Sequence, residues 1–306
     1  MSVNWNGVFP AMMTQFTADG ALDLDATAAH MEAMLEAGVN GFVMLGTMGE
    51  NGSLEPGEKR DVVAMAVKKV AGRVPVLVGV AEAVSGAATR MAADCAELGA
   101  DGLMVLPPMI YKSDPRETMA HLRRVAAASD LPIMIYNNPV TYGIDVTPEM
   151  FAELADEPKL VALKESSDDP RRITDIVNAC GDRYLLFCGV DDLVLESQIL
   201  GAIGWVAGMV GPFPREAVRM FELVAAGRIE EARAIYRWFM PLLHLDTDVK
   251  LVQYIKLAQA MAGYGTEHVR APRMILEGAE RARVEAIVAR GLETRPNLGS
   301  AGRIIK

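Results

Sequence analysis

Eight short apolar runs recur along the chain, at 8–13, 41–46, 74–79, 102–106, 132–136, 160–164, 184–188 and 204–208. They are continuous rather than alternating, as expected of parallel strands covered on both faces. Between them lie amphipathic stretches at 26–36, 55–70, 85–98 and 114–129, with a shorter one opening at Thr147-Pro148. A cap residue or first-turn proline opens most of these, and Gly38, Gly72 and Gly99 close three of them. Strand and helix alternating eight times predicts an α/β fold of the (β/α)8 TIM-barrel kind. A doubly wound sheet is the other reading, but no Gly-x-Gly-x-x-Gly follows an early strand. Beyond Trp205 the pattern turns helical, at 214–226, 229–244, 249–261 and 273–290. The expected organisation is a catalytic barrel over 1–228 and a C-terminal helical extension over 229–306 that supplies contacts between subunits.

Composition narrows the picture. Apolar residues make up 51% of the 306 and aromatic residues only 6%, so aliphatic and methionine side chains must fill the interior. A net charge of −10 argues against nucleic acid or an anionic membrane surface as partner. No apolar run approaches the ~20 residues a membrane span requires. Cys95, Cys180 and Cys188 are an odd number without Cys-x-x-Cys spacing, so they read as buried, reduced thiols. The first six residues lack a basic stretch followed by an apolar core, so no secretory signal is expected and the cytoplasm is the default location.

Candidate chemistry gathers where strands end. The run Leu160-Val161-Ala162-Leu163 leads straight into Lys164. A lysine held against apolar walls has a lowered pKa, and its free amine attacks carbonyls. A lysine that caps a strand and snorkels to water fits the same segment. Tyr136 ends the fifth run and is able to relay protons, or to pack under the loops with its hydroxyl satisfied. Gly46-Thr47-Met48-Gly49-Glu50 follows the second run; its amides and hydroxyl would converge on an anion, or the glycines serve a plain turn. Asp191-Asp192 reads as the acidic first turn of a helix. His30, His121, His244 and His268 are dispersed with no His-x-x-x-His spacing, so no metal is expected, and an amine that is itself the nucleophile calls for no other cofactor.

Together, Gly46-Thr47-Met48-Gly49-Glu50, Tyr136-Asn137-Asn138-Pro139 and Leu163-Lys164-Glu165 resemble, in order and spacing, the signatures of the dihydrodipicolinate synthase / N-acetylneuraminate lyase family. The likeness runs from Gly7 through the C-terminal helices, including Val249-Lys250 and Arg270-Ala271-Pro272, and so covers nearly the whole chain. It implies a class I lyase in which Lys164 forms a Schiff base with a 2-oxo acid and Tyr136 shuttles protons. Gly46, Thr47 and the Met48 amide would hold the substrate carboxylate, and Val206 would offer a backbone carbonyl near the tyrosine. Family members are commonly homotetramers, built as dimers of dimers.

The chain departs from the synthase pattern at Met48, where a second threonine is expected, and at Thr141, where an arginine would clamp the carboxylate of the aldehyde substrate. Tyr111 stands one position late for the tyrosine that the synthase feeds across its dimer. The segments 107–112 and 136–143, with Leu243-His244-Leu245-Asp246-Thr247, look closest to 1-pyrroline-4-hydroxy-2-carboxylate deaminases, which produce 2,5-dioxopentanoate. The alternatives are 4-hydroxy-tetrahydrodipicolinate synthase, which joins pyruvate to aspartate semialdehyde, a 2-keto-3-deoxy sugar-acid aldolase or dehydratase, and a silent ligand-binding member of the family.

Overall fold

The computed structural model describes residues 3–298. Within them the alternation runs β1 (Gly7–Pro10), α1 (Leu24–Ala37), β2 (Phe42–Met44), α2 (Pro56–Val70), β3 (Val76–Val80), α3 (Ser85–Glu97), β4 (Gly102–Val105) and α4 (Pro115–Ala126). It continues through β5 (Ile133–Asn137), two short helices α5 (Pro139–Tyr142) and α6 (Pro148–Glu153), β6 (Leu160–Glu165), α7 (Arg171–Cys180), β7 (Leu185–Cys188), α8 (Val194–Ile199), β8 (Gly204–Ala207) and α9 (Pro214–Ala225). All neighbouring strands are parallel, in the order β1-β8-β7-β6-β5-β4-β3-β2. The Met12 amide donates to the Val43 carbonyl at 2.9 Å beside an Ala11–Val43 bridge, which joins β1 to β2 and closes the barrel. All eight expected strands are present, each within two or three residues of its run.

Local chemistry explains the helix ends. Asp23 accepts from the Ala26 amide at the start of α1, and Gly38 at φ +92° ends it. Glu55–Glu58 and Asp114–Glu117 form reciprocal capping boxes on α2 and α4. The core is aliphatic and rich in methionine, with Met12, Met13, Met31, Met44, Met104 and Met134 all nearly inaccessible.

Three more helices follow: α10 (Ile229–Leu243), α11 (Leu251–Met261) and α12 (Gly278–Glu293). The expected helix over 273–290 therefore begins five residues late. Arg270 is held by Glu58 at 2.6 and 2.7 Å and Arg273 lies 3.6 Å from Glu50, so the segment is drawn along the barrel instead of coiling. Among the cysteines, Cys95 and Cys188 are buried but Cys180 is only half-buried, and all three are free thiols. No helix among the described residues is long and apolar enough to cross a membrane. Residues 299–306 of the expected extension, and Met1-Ser2 of the expected leader-free start, lie outside the described residues.

Candidate active site

Strand β6 carries one more residue than its neighbour. Ile133 faces Leu160, yet Met134 faces Ala162, so Val161 is an inserted bulge. Without it Tyr136 would face Leu163; with it Tyr136 faces Lys164 on the adjoining strand. The Lys164 Nζ then lies 3.9 Å from the centre of the Tyr136 ring. Lys164 is 6% exposed and forms no ion pair among the described residues. Burial holds its ammonium below the usual lysine range, against the upward pull of Asp246, Tyr142 and Asp191. Tyr136 is pushed up to about 12 by burial, and its hydroxyl accepts from Asn138 Nδ2 at 3.0 Å.

Space for the lysine comes from Gly189, after β7. A Cβ there would sit 2.1 Å from Ser166 Oγ and 2.6 Å from Lys164 Cε. Ser166 is itself buried, and its hydroxyl has no partner among the described residues, so a bound polar group would satisfy it.

The turn after β2 is held rigidly. A Cβ on Gly49 would lie 2.9 Å from the Leu45 backbone and 3.1 Å from the Met12 carbonyl, so no larger residue fits. Glu50, fully buried, pairs with the equally buried Lys256 of α11 at 2.6 Å and accepts from the Arg270 amide at 3.1 Å. The turn is thereby fastened to the C-terminal helices. The Thr47 and Met48 amides make no hydrogen bond within the described chain, which leaves both donors available to an anion. Thr47 Oγ1 meets the Tyr142 hydroxyl at 2.5 Å, and the Tyr142 ring stands edge-on to Tyr136 at 5.8 Å.

These groups share one cavity of about 370 Å³ at the carboxyl ends of the strands. Gly46, Thr47, Met48, Tyr136, Thr141, Lys164 and Val206, all marked in the sequence, line it. Tyr111 does not: it is 58% exposed and stands outside the cavity of its own chain, with its hydroxyl near Glu117.

Other lining residues escape the sequence reading. Tyr142, Ser166, Asp168, Asp246 and Asp248 all face the cavity, and Lys164 is its single cation among the described residues. Asp246 is raised to about 6, first by burial, while Lys164 pulls it down and Asp192 pushes it up. The Asp191-Asp192 pair requires a correction. It forms a single 3-10 turn, Asp191–Leu193, and α8 starts only at Val194. Asp191 is wholly buried, accepting from Trp205 Nε1 at 3.1 Å and the Met209 amide at 2.7 Å, and burial lifts its carboxyl well above the ordinary range. Asp192 instead meets His244 Nδ1 at 2.9 Å.

A buried lysine beside a tyrosine, facing a turn with two free backbone amides at the mouth of a (β/α)8 barrel, is an arrangement suited to a class I lyase. The comparisons agree. The model of the dihydrodipicolinate synthetase family matches residues 4–290, and the chain belongs to that family. A 4-hydroxy-tetrahydrodipicolinate synthase from Methanothrix thermoacetophila is 30% identical over 290 residues, covering 94% of this chain and 97% of the relative. An uncharacterised DapA-like lyase from Halobacterium salinarum is 33% identical over 284 residues, covering 93% of each. Among solved structures, a putative dihydrodipicolinate synthetase from Pseudomonas aeruginosa superposes with a TM-score of 0.89 at 30% identity, covering 94% of this chain and all of the other. YagE, a prophage protein of the same family from E. coli K12 in complex with pyruvate, gives 0.89 at 26% identity, covering 95% and 99%.

Proposed function

We propose that this lyase deaminates and dehydrates 1-pyrroline-4-hydroxy-2-carboxylate to 2,5-dioxopentanoate. The observation that carries the reading is the charge of the cavity wall. Three carboxylates and one lysine line it, and Thr141 stands where the synthase pattern has an arginine. A second substrate bearing its own carboxylate, such as aspartate semialdehyde, would meet no cation beyond the lysine. At 4 Å in a partly solvated site, two like charges repel by about 4 kcal/mol and an ammonium is attracted by as much. Solvent weakens both for the exposed Asp168 and Asp248 but leaves the sign. The pyrroline meets the requirement, because opening its ring frees an amine at the distal end.

In this reading the substrate carboxylate rests on the Thr47 and Met48 amides, with Gly46 keeping the turn tight. Lys164 adds to the ring carbon at C2, and Tyr136 hands a proton to the ring nitrogen as the C–N bond breaks. The phenolate then takes a proton from C3, giving an enamine on Lys164. Loss of the 4-hydroxyl as water follows. One water hydrolyses the C5 imine to release ammonia, and another frees C2 from Lys164. The Val206 carbonyl steadies the tyrosine hydroxyl, and Thr141 and the unpaired Ser166 hydroxyl take polar groups of the substrate. Tyr111, exposed here, would reach a cavity only across a subunit boundary. The same reading takes the chain as a cytoplasmic homotetramer, a dimer of dimers, with the barrel over 1–228 and the extension over 229–306.

A substrate panel tests it. Ammonia release from the pyrroline should exceed condensation of pyruvate with aspartate semialdehyde by at least 100-fold in kcat/KM. Efficient condensation would overturn the reading.

A further inference from the structure

We propose that Asp246 is the catalytic acid of this site, donating its proton to the hydroxyl that leaves C4 of the Lys164-bound substrate. The inference rests on the deaminase reading and deepens it. Elimination of a hydroxyl needs a proton at the departing oxygen, since hydroxide is a poor leaving group. Tyr136, on the C2 side, is already committed to the ring nitrogen and the C3 proton.

The geometry singles out one of the three acids on the wall. Asp248 accepts from the Lys250 amide at 3.0 Å and is exposed, and Asp168 is exposed at the rim. Asp246 is partly buried and forms no ion pair among the described residues. It arrives from outside the barrel, on the 3-10 turn His244–Asp246 that ends α10. Buried Leu245 anchors the turn from below, and His244 pins it to Asp192. Gly208, just past β8, gives it access: a Cβ there would lie 2.8 Å from Asp246 Oδ1. The carboxyl thus enters the cavity across a glycine, at a point that also lies 3.5 Å from Met48 Sδ. Asp246 acts electrostatically on both Lys164 and Tyr136 within the same cavity, so its carboxyl stands beside a substrate chain bound to Lys164.

The step balances. The C4–O bond breaks as the enamine pair forms C3=C4 and restores the Lys164 iminium. The oxygen leaves with the Asp246 proton as water, and Asp246 remains as carboxylate. It then takes a proton from C5, which restores its acid form, while Tyr136 returns to C3 the proton it had taken. An amine N–H proton passes through water to C4 to make C5 an imine, and hydrolysis of the Lys164 iminium releases the proton that restores Tyr136.

Around Asp246 stand Lys164 on β6, Tyr136 on β5, Asp168 after β6, Asp191 and Asp192 after β7, and its neighbours His244 and Asp248. Burial raises its pKa to about 6, which keeps a usable fraction protonated near neutral pH. An acid must be protonated to donate, so kcat should decline as pH rises through the region of 6.

The test compares wild type, D246N and D246E on the pyrroline, by kcat against pH and by mass spectrometry after borohydride trapping. D246N should lose roughly 10²-fold or more in kcat, the usual worth of a general acid. It should also lose the descending limb and trap a Lys164 adduct that still carries the elements of the 4-hydroxyl. D246E should keep the limb. If wild type turns over the pyrroline and D246N keeps its rate, its limb or a dehydrated adduct, the role belongs elsewhere. If wild type does not turn over the pyrroline, the substrate reading fails and this assignment falls with it.

Discussion

At the residue scale, Lys164 illustrates how burial changes the acidity of a common side chain. Burial disfavours its charged form, and no carboxylate pairs with it closely enough to restore the ordinary range. Its aim depends on a neighbour with no side chain at all. Because a Cβ on Gly189 would lie 2.6 Å from Lys164 Cε, Gly189→Ala must swing the amine away from Tyr136. Displacements near 1 Å cost catalytic sites on the order of 100-fold. We expect borohydride trapping at Lys164 to slow by about that factor, with the urea midpoint nearly unchanged; trapping at the wild-type rate would show that the amine is not so constrained. Lys164 and Tyr136 were legible in the sequence because an apolar run that ends in a polar residue marks a strand mouth. Asp246 was not legible as a site residue. It lies outside the barrel strands, in a segment whose helical period says nothing about the cavity below. Asp191 was misread for a related reason. An acid before an amphipathic stretch looks like a helix cap, and only Trp205 and Met209, contributed by and beyond β8, reveal that it is buried.

At the scale of elements, two local irregularities build the site on an otherwise regular barrel. The Val161 bulge brings Lys164 level with Tyr136, and no sequence pattern announces it, since a buried parallel strand has no alternation to interrupt. The turn after β2 is the opposite case, legible from its glycines. Its rigidity yields a prediction. Gly49→Ala would press a methyl group to 2.9 Å from the Leu45 backbone, which has no rotamer to relieve the contact. The Thr47 and Met48 amides should then turn off the substrate carboxylate. Hydrogen bonds to charged groups are worth about 1.5–3 kcal/mol, so KM should rise roughly tenfold or more. Lys164 should retain its trapping chemistry with a saturating 2-oxo acid, and an unchanged KM would remove the turn from carboxylate binding. The missed helix α7 follows Asp168-Asp169-Pro170, a polar stretch that reads as loop until the paired Arg172–Asp145 contact behind it is seen.

For the molecule as a whole, the C-terminal helices are part of the site. Lys256 of α11 holds Glu50 of the turn after β2, and the 3-10 turn that follows α10 carries Asp246 to the cavity. A barrel alone would keep Lys164 and Tyr136 but lose Asp246 from the cavity wall and the Lys256 tether of the turn after β2. The sequence identified the barrel because eight runs and their spacing overdetermine it. The join between barrel and extension depends on buried pairs such as Glu50–Lys256, more than 200 residues apart, which no local pattern reveals. The proposed reaction requires Lys164 to react with a five-carbon substrate whose distal end is not anionic. Its most direct measurement is mass spectrometry of the peptide that carries Lys164 after borohydride reduction with 1-pyrroline-4-hydroxy-2-carboxylate. A covalent five-carbon adduct on Lys164 and on no other lysine is expected. No adduct, or one on a different residue, would contradict it.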